Sequence, residues 1–167
     1  MLVKQLSVFM ENRPGRLYKL THALGQEGID FVTLSIADTK DFGIVRFIAR
    51  DNERAYEILK KEGFTVGITE LIGVEVSDRP NALAEVVALI EEANINIEYL
   101  YSFVLTNHNT AKILMRVEDT DRAVKLLQEK GIKLLSEKIF KNLNPGRRVA
   151  APFFAFRRTA ESFTACF

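Results

Sequence analysis

The chain has 167 residues, of which 47% are hydrophobic, 27% charged and 10% aromatic, with 23 Lys and Arg against 22 Asp and Glu for a formal net charge of +1. That composition can build the core of one moderate domain or two very small ones, and it excludes a chain that is disordered throughout. One cysteine, Cys166, and two histidines, His22 and His108, exclude an internal disulfide framework and a thiolate metal cluster.

Residues 1–5 lack the charged-then-apolar pattern of a signal sequence, and no apolar run approaches the roughly 18 residues of a membrane span. A cytoplasmic protein without a membrane partner is expected. Leu6, Val8 and Met10 alternate, which predicts a strand near 4–10 packed on one face. Leu17, Leu20 and Leu24 then recur at helical spacing, with Pro14 suited to the first turn and Gly28 to the stop. His22 on this helix and His108 further on are isolated, and such histidines are solvated or packed rather than catalytic. A second strand is predicted over about 30–37, followed by a polar turn at Thr39-Lys40-Asp41 and a third strand through Val45, Phe47 and Ala49. Asp51 is placed to cap a second helix carrying Ala55, Ile58 and Leu59, which Gly63 ends. Phe64 to Val66 open a last strand, and residues 67–71 read as a short connection.

The pattern then repeats. Asn12-Arg13-Pro14-Gly15-Arg16-Leu17 is answered 66 residues later by Asp78-Arg79-Pro80-Asn81-Ala82-Leu83, and Val8, Leu20, Leu24, Ile29 and Leu34 by Val74, Val86, Ile90, Ile95 and Leu100. Past residue 107 the offset becomes 68: Asp51, Ala55, Leu59 and Gly63 pair with Asp119, Ala123, Leu127 and Gly131. The two extra residues fall near 107–109, in a polar stretch suited to a surface hairpin. Ile113, Met115 and Val117 repeat the third strand, and Ile132 to Leu134 open the last one. Tyr99, Tyr101 and Phe103 alternate where the first copy has Thr33, Ser35 and Ala37; core or interface packing is expected of them, with the lining of a ligand pocket or subunit contact as the alternative.

Strand, helix, strand, strand, helix, strand, twice over, predicts an α+β protein of two tandem ferredoxin-like βαββαβ units, each an antiparallel sheet with its helices on one face. The units are expected at 1–69 and 70–140. From residue 141 the chain carries five basic residues and one acid and turns Phe-rich, so 141–167 reads as a basic tail, largely disordered and dispensable. The remaining body is mildly acidic, which argues against nucleic acid as a partner. No Ser/His/Asp or Cys/His set, phosphate loop or shared carboxylate pair marks an enzyme, and no cofactor is expected.

Each copy, with a strand ending in Asn12 or Asp78, then Arg-Pro, then Gly15 or Asn81 and Leu, a helix, and Gly-Ile or Asn-Ile entering the next strand, resembles an ACT domain, the amino-acid-sensing module of many enzymes of amino-acid metabolism. The resemblance covers about 3–140 and departs at Asn81, where the family has glycine. It implies a non-enzymatic regulator that binds a free L-amino acid in the seam between side-by-side units and modulates a partner, such as an enzyme of amino-acid metabolism. A homodimer is the expected assembly. The implied ligand-binding residues are Asn12, Arg13, Pro14, Gly15, Arg16, Leu17, Ile29 and Asp30 in the first unit. In the second they are Asp78, Arg79, Pro80, Asn81, Ala82, Leu83, Ile95 and Asn96. A strand-to-helix turn presents free amides and the positive end of a helix dipole to a carboxylate, and glycine lets a ligand come close. The same residues also make an ordinary turn and helix start. The second reading is therefore an interaction or assembly module that no longer binds a ligand.

Overall fold

Alternation and helical spacing become the following elements in a computed structural model that describes residues 2–38, 41–103 and 110–141. They are β1 (Val3–Glu11), α1 (Arg16–Gln26), β2 (Phe31–Asp38), β3 (Phe42–Ala49), α2 (Asn52–Lys61), β4 (Thr65–Ser77), α3 (Ala82–Glu92), β5 (Ile97–Phe103), β6 (Thr110–Val117), α4 (Thr120–Glu129), β7 (Lys133–Leu134) and α5 (Lys138–Lys141). Two tandem ferredoxin-like units result. Their strands follow the order β2-β3-β1-β4-β6-β5, with β7 also on β4, and all pairs are antiparallel. The expected hairpin insertion at 107–109, His108, Cys166 and the tail from 142 lie outside the described residues. No helix among the described residues is long and apolar enough to cross a membrane.

Local chemistry sets the helix ends. Asp51 and Asp119 each accept a hydrogen bond from the amide three residues on, Arg54 and Arg122, both at 3.0 Å. Four helices end alike, at Gly28, Gly63, Asn94 and Gly131, all with positive φ. At each, the next residue's amide reaches back five residues to a helix carbonyl, and that residue (Ile29, Phe64, Ile95 or Ile132) is apolar. These are Schellman ends with their hydrophobic contact. His22, exposed on α1, stacks on the exposed Tyr18 one turn before it.

Residues 67–71 are not a connection: they lie inside β4, a 13-residue strand that serves both units. From Thr65 to Leu71 it pairs with β1, and from Ile72 to Ser77 with β6. Gly67, Thr69 and Glu70 interrupt the apolar alternation there. Their pairing with β1 holds them extended regardless. An unbroken strand keeps its side-chain parity, so Val66 faces the first unit's helices while Ile72, Val74 and Val76 face the second's. The even offset of 66 is what lets one strand do this. The last strand of the second unit is also shorter than the sequence suggests: only Lys133 and Leu134 pair with β4, and the chain then turns into α5.

Each unit has its own core between sheet and helices. A third core joins them. Val3, Val32 and Ile48 from the face of the first half-sheet turned away from α1 and α2 pack with Phe103 and Leu114 of the second half-sheet, Leu135 after β7 and Phe140 of α5, around Leu71 of the shared strand. Since β1 and β5 are separated in the sheet by β4 and β6, their contact requires the sheet to curl so that the faces turned away from α1–α4 meet, with Phe140 of α5 packed against Phe103 beside them. Here the aromatic alternation of β5 finds its place in the packing between units. Gln5, fully buried, donates from Nε2 to Tyr99 Oη (2.9 Å) and to Ser7 Oγ (3.2 Å), and its Oε1 accepts from Tyr101 Oη (2.8 Å). The Arg46 guanidinium lies 4.3 Å from the centre of the Tyr99 ring. Burial pushes the Tyr101 phenol above its ordinary pKa, so it stays a neutral donor to Gln5.

One charged cluster has a buried member. Lys112, 5% exposed, is in close ion pair with Glu75 and donates to Thr110 Oγ1 at 3.1 Å, while Lys133 reaches the other Glu75 oxygen at 3.2 Å. The hydrogen bond from Lys112, outweighing desolvation, holds the Glu75 carboxyl below its ordinary pKa. A depressed folded-state pKa adds stability that is fully present above the unfolded value, about 4.3, and is lost as pH falls through the folded value. Glu75→Gln should therefore cost about 3 kcal/mol in urea unfolding at pH 7, because it strands a buried ammonium. The difference from wild type should shrink steadily as the pH is lowered below about 4.

Candidate functional site

The two Arg-Pro turns were singled out by sequence, and their backbones are the same. In the first, the Arg16 amide bonds to the Arg13 carbonyl at 3.3 Å across Pro14 and Gly15, with Gly15 at φ 86°, ψ −16°. In the second, the Ala82 amide bonds to the Arg79 carbonyl at 3.3 Å across Pro80 and Asn81, with Asn81 at φ 68°, ψ −8°. Both are type II turns, with proline second and a left-handed residue third. The prolines thus sit ahead of the helices, not in their first turns: α1 begins at Arg16 and α3 at Ala82. A Cβ at Gly15 would meet no heavy atom within 4 Å, so glycine is there for its φ rather than for packing. Asparagine tolerates the same φ better than other side chains, and the departure at residue 81 leaves the turn intact.

Capping differs between the helices. α2 and α4 carry their own carboxylate caps, whereas neither Gly15 nor Asn81 contributes a side-chain cap. The Arg16 and Ala82 amides close the turns, and no N-cap side chain serves the rest of either first turn, with the positive end of the helix dipole behind it. That arrangement suits a carboxylate.

Around the matching backbones the charges differ. Residues 12–19 hold three cations, Arg13, Arg16 and Lys19, and no acid. The Arg16 guanidinium and the Lys19 ammonium both lie over the Phe64 ring, at 5.6 and 5.5 Å, and Arg16 Nε makes no hydrogen bond. Residues 78–85 hold one cation, Arg79, and two acids, Asp78 and Glu85. Arg79 is bound by Glu85 at 2.6 Å and also donates to the Pro80 carbonyl. Lys19, Phe64 and Glu85 were not among the residues expected at the site. The signal was available in the offset of 66, which sets Lys19 against Glu85.

The remaining expected residues lie elsewhere. Ile29 and Ile95 are buried in the two unit cores, and Ala82 is buried too. Leu17 and Leu83 are partly exposed. Asp30 accepts from Arg50 Nε at 3.2 Å, and the Asn96 carbonyl accepts from the Glu118 amide at 3.0 Å. Asn96 also borders a cleft of about 470 Å³ with Glu91 and Glu118. Each such pair sits at the far end of its unit's first helix, about 16 Å from the turn for 11 residues. One unit therefore cannot bring its turn and its 29–30 or 95–96 segment to a common small ligand. The two turns do not face each other within the chain either. Register puts the end of β1 and the end of β4 roughly 45 Å apart in extended strand, at opposite ends of the joined sheet.

A left-handed residue 81 makes the turn's demands measurable. Asn81→Gly should leave stability within about 0.5 kcal/mol of wild type, while Asn81→Val should lose about 1–2 kcal/mol, both read by urea unfolding.

Residues 1–144 match the family described as the ACT domain pair. The aspartokinases of Corynebacterium efficiens and Corynebacterium glutamicum are 27% and 28% identical to the chain over 135 and 136 residues, which is 71% and 72% of this chain but 31% of each enzyme. The chain thus spans about a third of the length of the curated relatives it matches. Among solved structures, a protein from Bacteroides thetaiotaomicron superposes with a TM-score of 0.80 at 39% identity, covering 86% of this chain and 98% of that one. The regulatory subunit of aspartate kinase from Thermus thermophilus shares the fold, with a TM-score of 0.53 at 17% identity, covering 77% of this chain and 93% of its own.

Proposed function

The chain belongs to the ACT domain pair family, a regulatory domain type, and on that premise we propose that it is a non-enzymatic regulator that senses a free L-amino acid. The observation that carries this reading is the α1 N-terminus: a type II turn without a side-chain cap, flanked within residues 12–19 by three cations and no acid. A ligand carboxylate there would accept from first-turn amides and gain from the helix dipole and the guanidinium of Arg16. Asp30, at the other end of α1 and paired with Arg50 at 3.2 Å, is the carboxylate that an ammonium group would share there. Because these groups lie at opposite ends of one helix, a second unit must supply the other half of the site.

We place that second unit in another copy of the chain. The faces of the units turned away from α1–α4 are already used on each other and on α5, so the edge strands β2 and β5 remain. Leu34 and Ile36 on β2 with Leu17 on α1, and Leu100 with Leu83 in the second unit, are exposed apolar side chains along those edges. A homodimer that pairs edge to edge would cover them and remove free strand edges. Residues 12–17 of one copy would then meet residues 29–30 of the next, and 78–83 would meet 95–96. The unit boundary is proposed at 69/70, inside β4 next to the change of pairing partner. A cytoplasmic setting and a partner enzyme of amino-acid metabolism, the class of the matched aspartokinases, complete the reading.

A melting screen against the twenty amino acids in millimolar excess tests it. One or a few chemically related amino acids should raise the midpoint by about 5–10 °C at a hundredfold excess over Kd, since binding to the folded state alone then adds about 2.7 kcal/mol. If none of the twenty moves the midpoint, the interaction-module reading replaces this one.

A further inference from the structure

Resting on the amino-acid-sensing reading above, we propose that the two units are unequal: the first unit's turn holds the ligand, the second unit's turn is silent, and each chain binds one amino acid rather than two. The usual reason for suspecting a lapsed turn, the missing glycine, does not apply. Gly15 and Asn81 differ by 18° in φ and 8° in ψ, and both turns close with the same 3.3 Å hydrogen bond. The difference lies in charge. A carboxylate approaching α1 meets Arg16 and Lys19, one turn apart on the same helix face and both seated on Phe64, with Lys19 in a long 3.7 Å contact to Glu62. A carboxylate approaching α3 meets Ala82 where Arg16 stands and Glu85 where Lys19 stands.

Glu85 does two things there. It places a negative charge in the first turn, where the chain's own carboxylate already benefits from the helix dipole. It also holds Arg79 at 2.6 Å, so the cation of the second turn is already neutralised. Asp78 in place of Asn12 adds a further negative charge at the same turn. On the α1 side the corresponding residue, Arg13, is 73% exposed, with only a long contact of 3.5 Å to Glu11. The second turn thus keeps the shape of a carboxylate site with its charge cancelled from within. This makes Lys19 and Glu85 the residues that decide which unit binds.

Equilibrium dialysis of the full chain against a radiolabelled mixture of the twenty amino acids counts the sites. Saturation at about one amino acid per chain is expected. Gly15→Asn, which copies the second unit's turn residue, should keep that count with affinity within about threefold, whereas Lys19→Glu, which copies its charge, should weaken binding by about tenfold or more. Asn81→Asp should change neither count nor affinity. Lys19 is half exposed but pairs with Glu62 at 3.7 Å, so the melting of unliganded Lys19→Glu is read beside Lys19→Gln, which removes the cation without setting a second carboxylate against Glu62, and the two together separate a lost site from a lost fold. Two amino acids per chain, or a count halved by Asn81→Asp, would overturn the inequality while leaving the sensing reading in place. Abolition by Gly15→Asn with Lys19→Glu unaffected would overturn charge as its cause. No binding to the wild-type chain would overturn both.

Discussion

A single backbone, β4, belongs to two sheets at once, and the rest of the arrangement follows from it. Thirteen residues pair first with β1 and then with β6 without a break, so side-chain parity passes unchanged from one unit to the next. Both helix layers must then lie on the same side of the strand. The opposite faces are left bare unless the sheet curls, and its curling brings Val3 and Ile48 against Phe103, Phe140 and the Gln5–Tyr99–Tyr101 cluster. That buried polar contact is fully paired at Gln5, which makes it specific: a slip of one residue in β1 or β5 would leave an amide and two phenols without partners.

The same strand decides where a ligand can go. Using the faces turned away from α1–α4 inside the chain leaves β2 and β5 as the free edges and sends the two Arg-Pro turns to opposite ends of the molecule. The turns themselves show how far backbone and charge can diverge between copies. Selection for a left-handed third residue is met by glycine in one and asparagine in the other. The charge around it has reversed: the three cations of the first turn meet acids only through the long contacts of Arg13 to Glu11 and Lys19 to Glu62, at 3.5 and 3.7 Å, whereas the one cation of the second is held by Glu85 at 2.6 Å. Shape alone would therefore class the two ends together, and electrostatics separates them.

Most of the fold was legible because burial writes itself as period. The alternation in β1 and β3, the spacing in α1 and α3, the aspartate caps and the glycine stops are each local, and each appears where the residues predicted it. Two features were not local. The junction at 67–71 lacks an apolar rhythm, and only pairing with β1 makes it strand. The partner of Tyr99 and Tyr101 is a glutamine more than ninety residues away, which no pattern within β5 announces. Among site residues, the turns were legible as turns, with proline and a left-handed residue in fixed order. The cations on Phe64 and the bond between Glu85 and Arg79 depend on side-chain placement across elements, though comparing the copies at positions 19 and 85 exposes the charge reversal.

The central claim is that an amino acid's carboxylate is received at the N-terminus of α1, completed by a second copy. An amide-resolved NMR titration with the amino acid that stabilises the chain most tests it directly. The account predicts that the Gly15, Arg16 and Leu17 amides shift together with Asp30, to a common midpoint, while Ala82 and Leu83 stay still. Shifts centred on Gln5, Tyr99 and Tyr101 between the half-sheets, with the α1 amides unmoved, would contradict it.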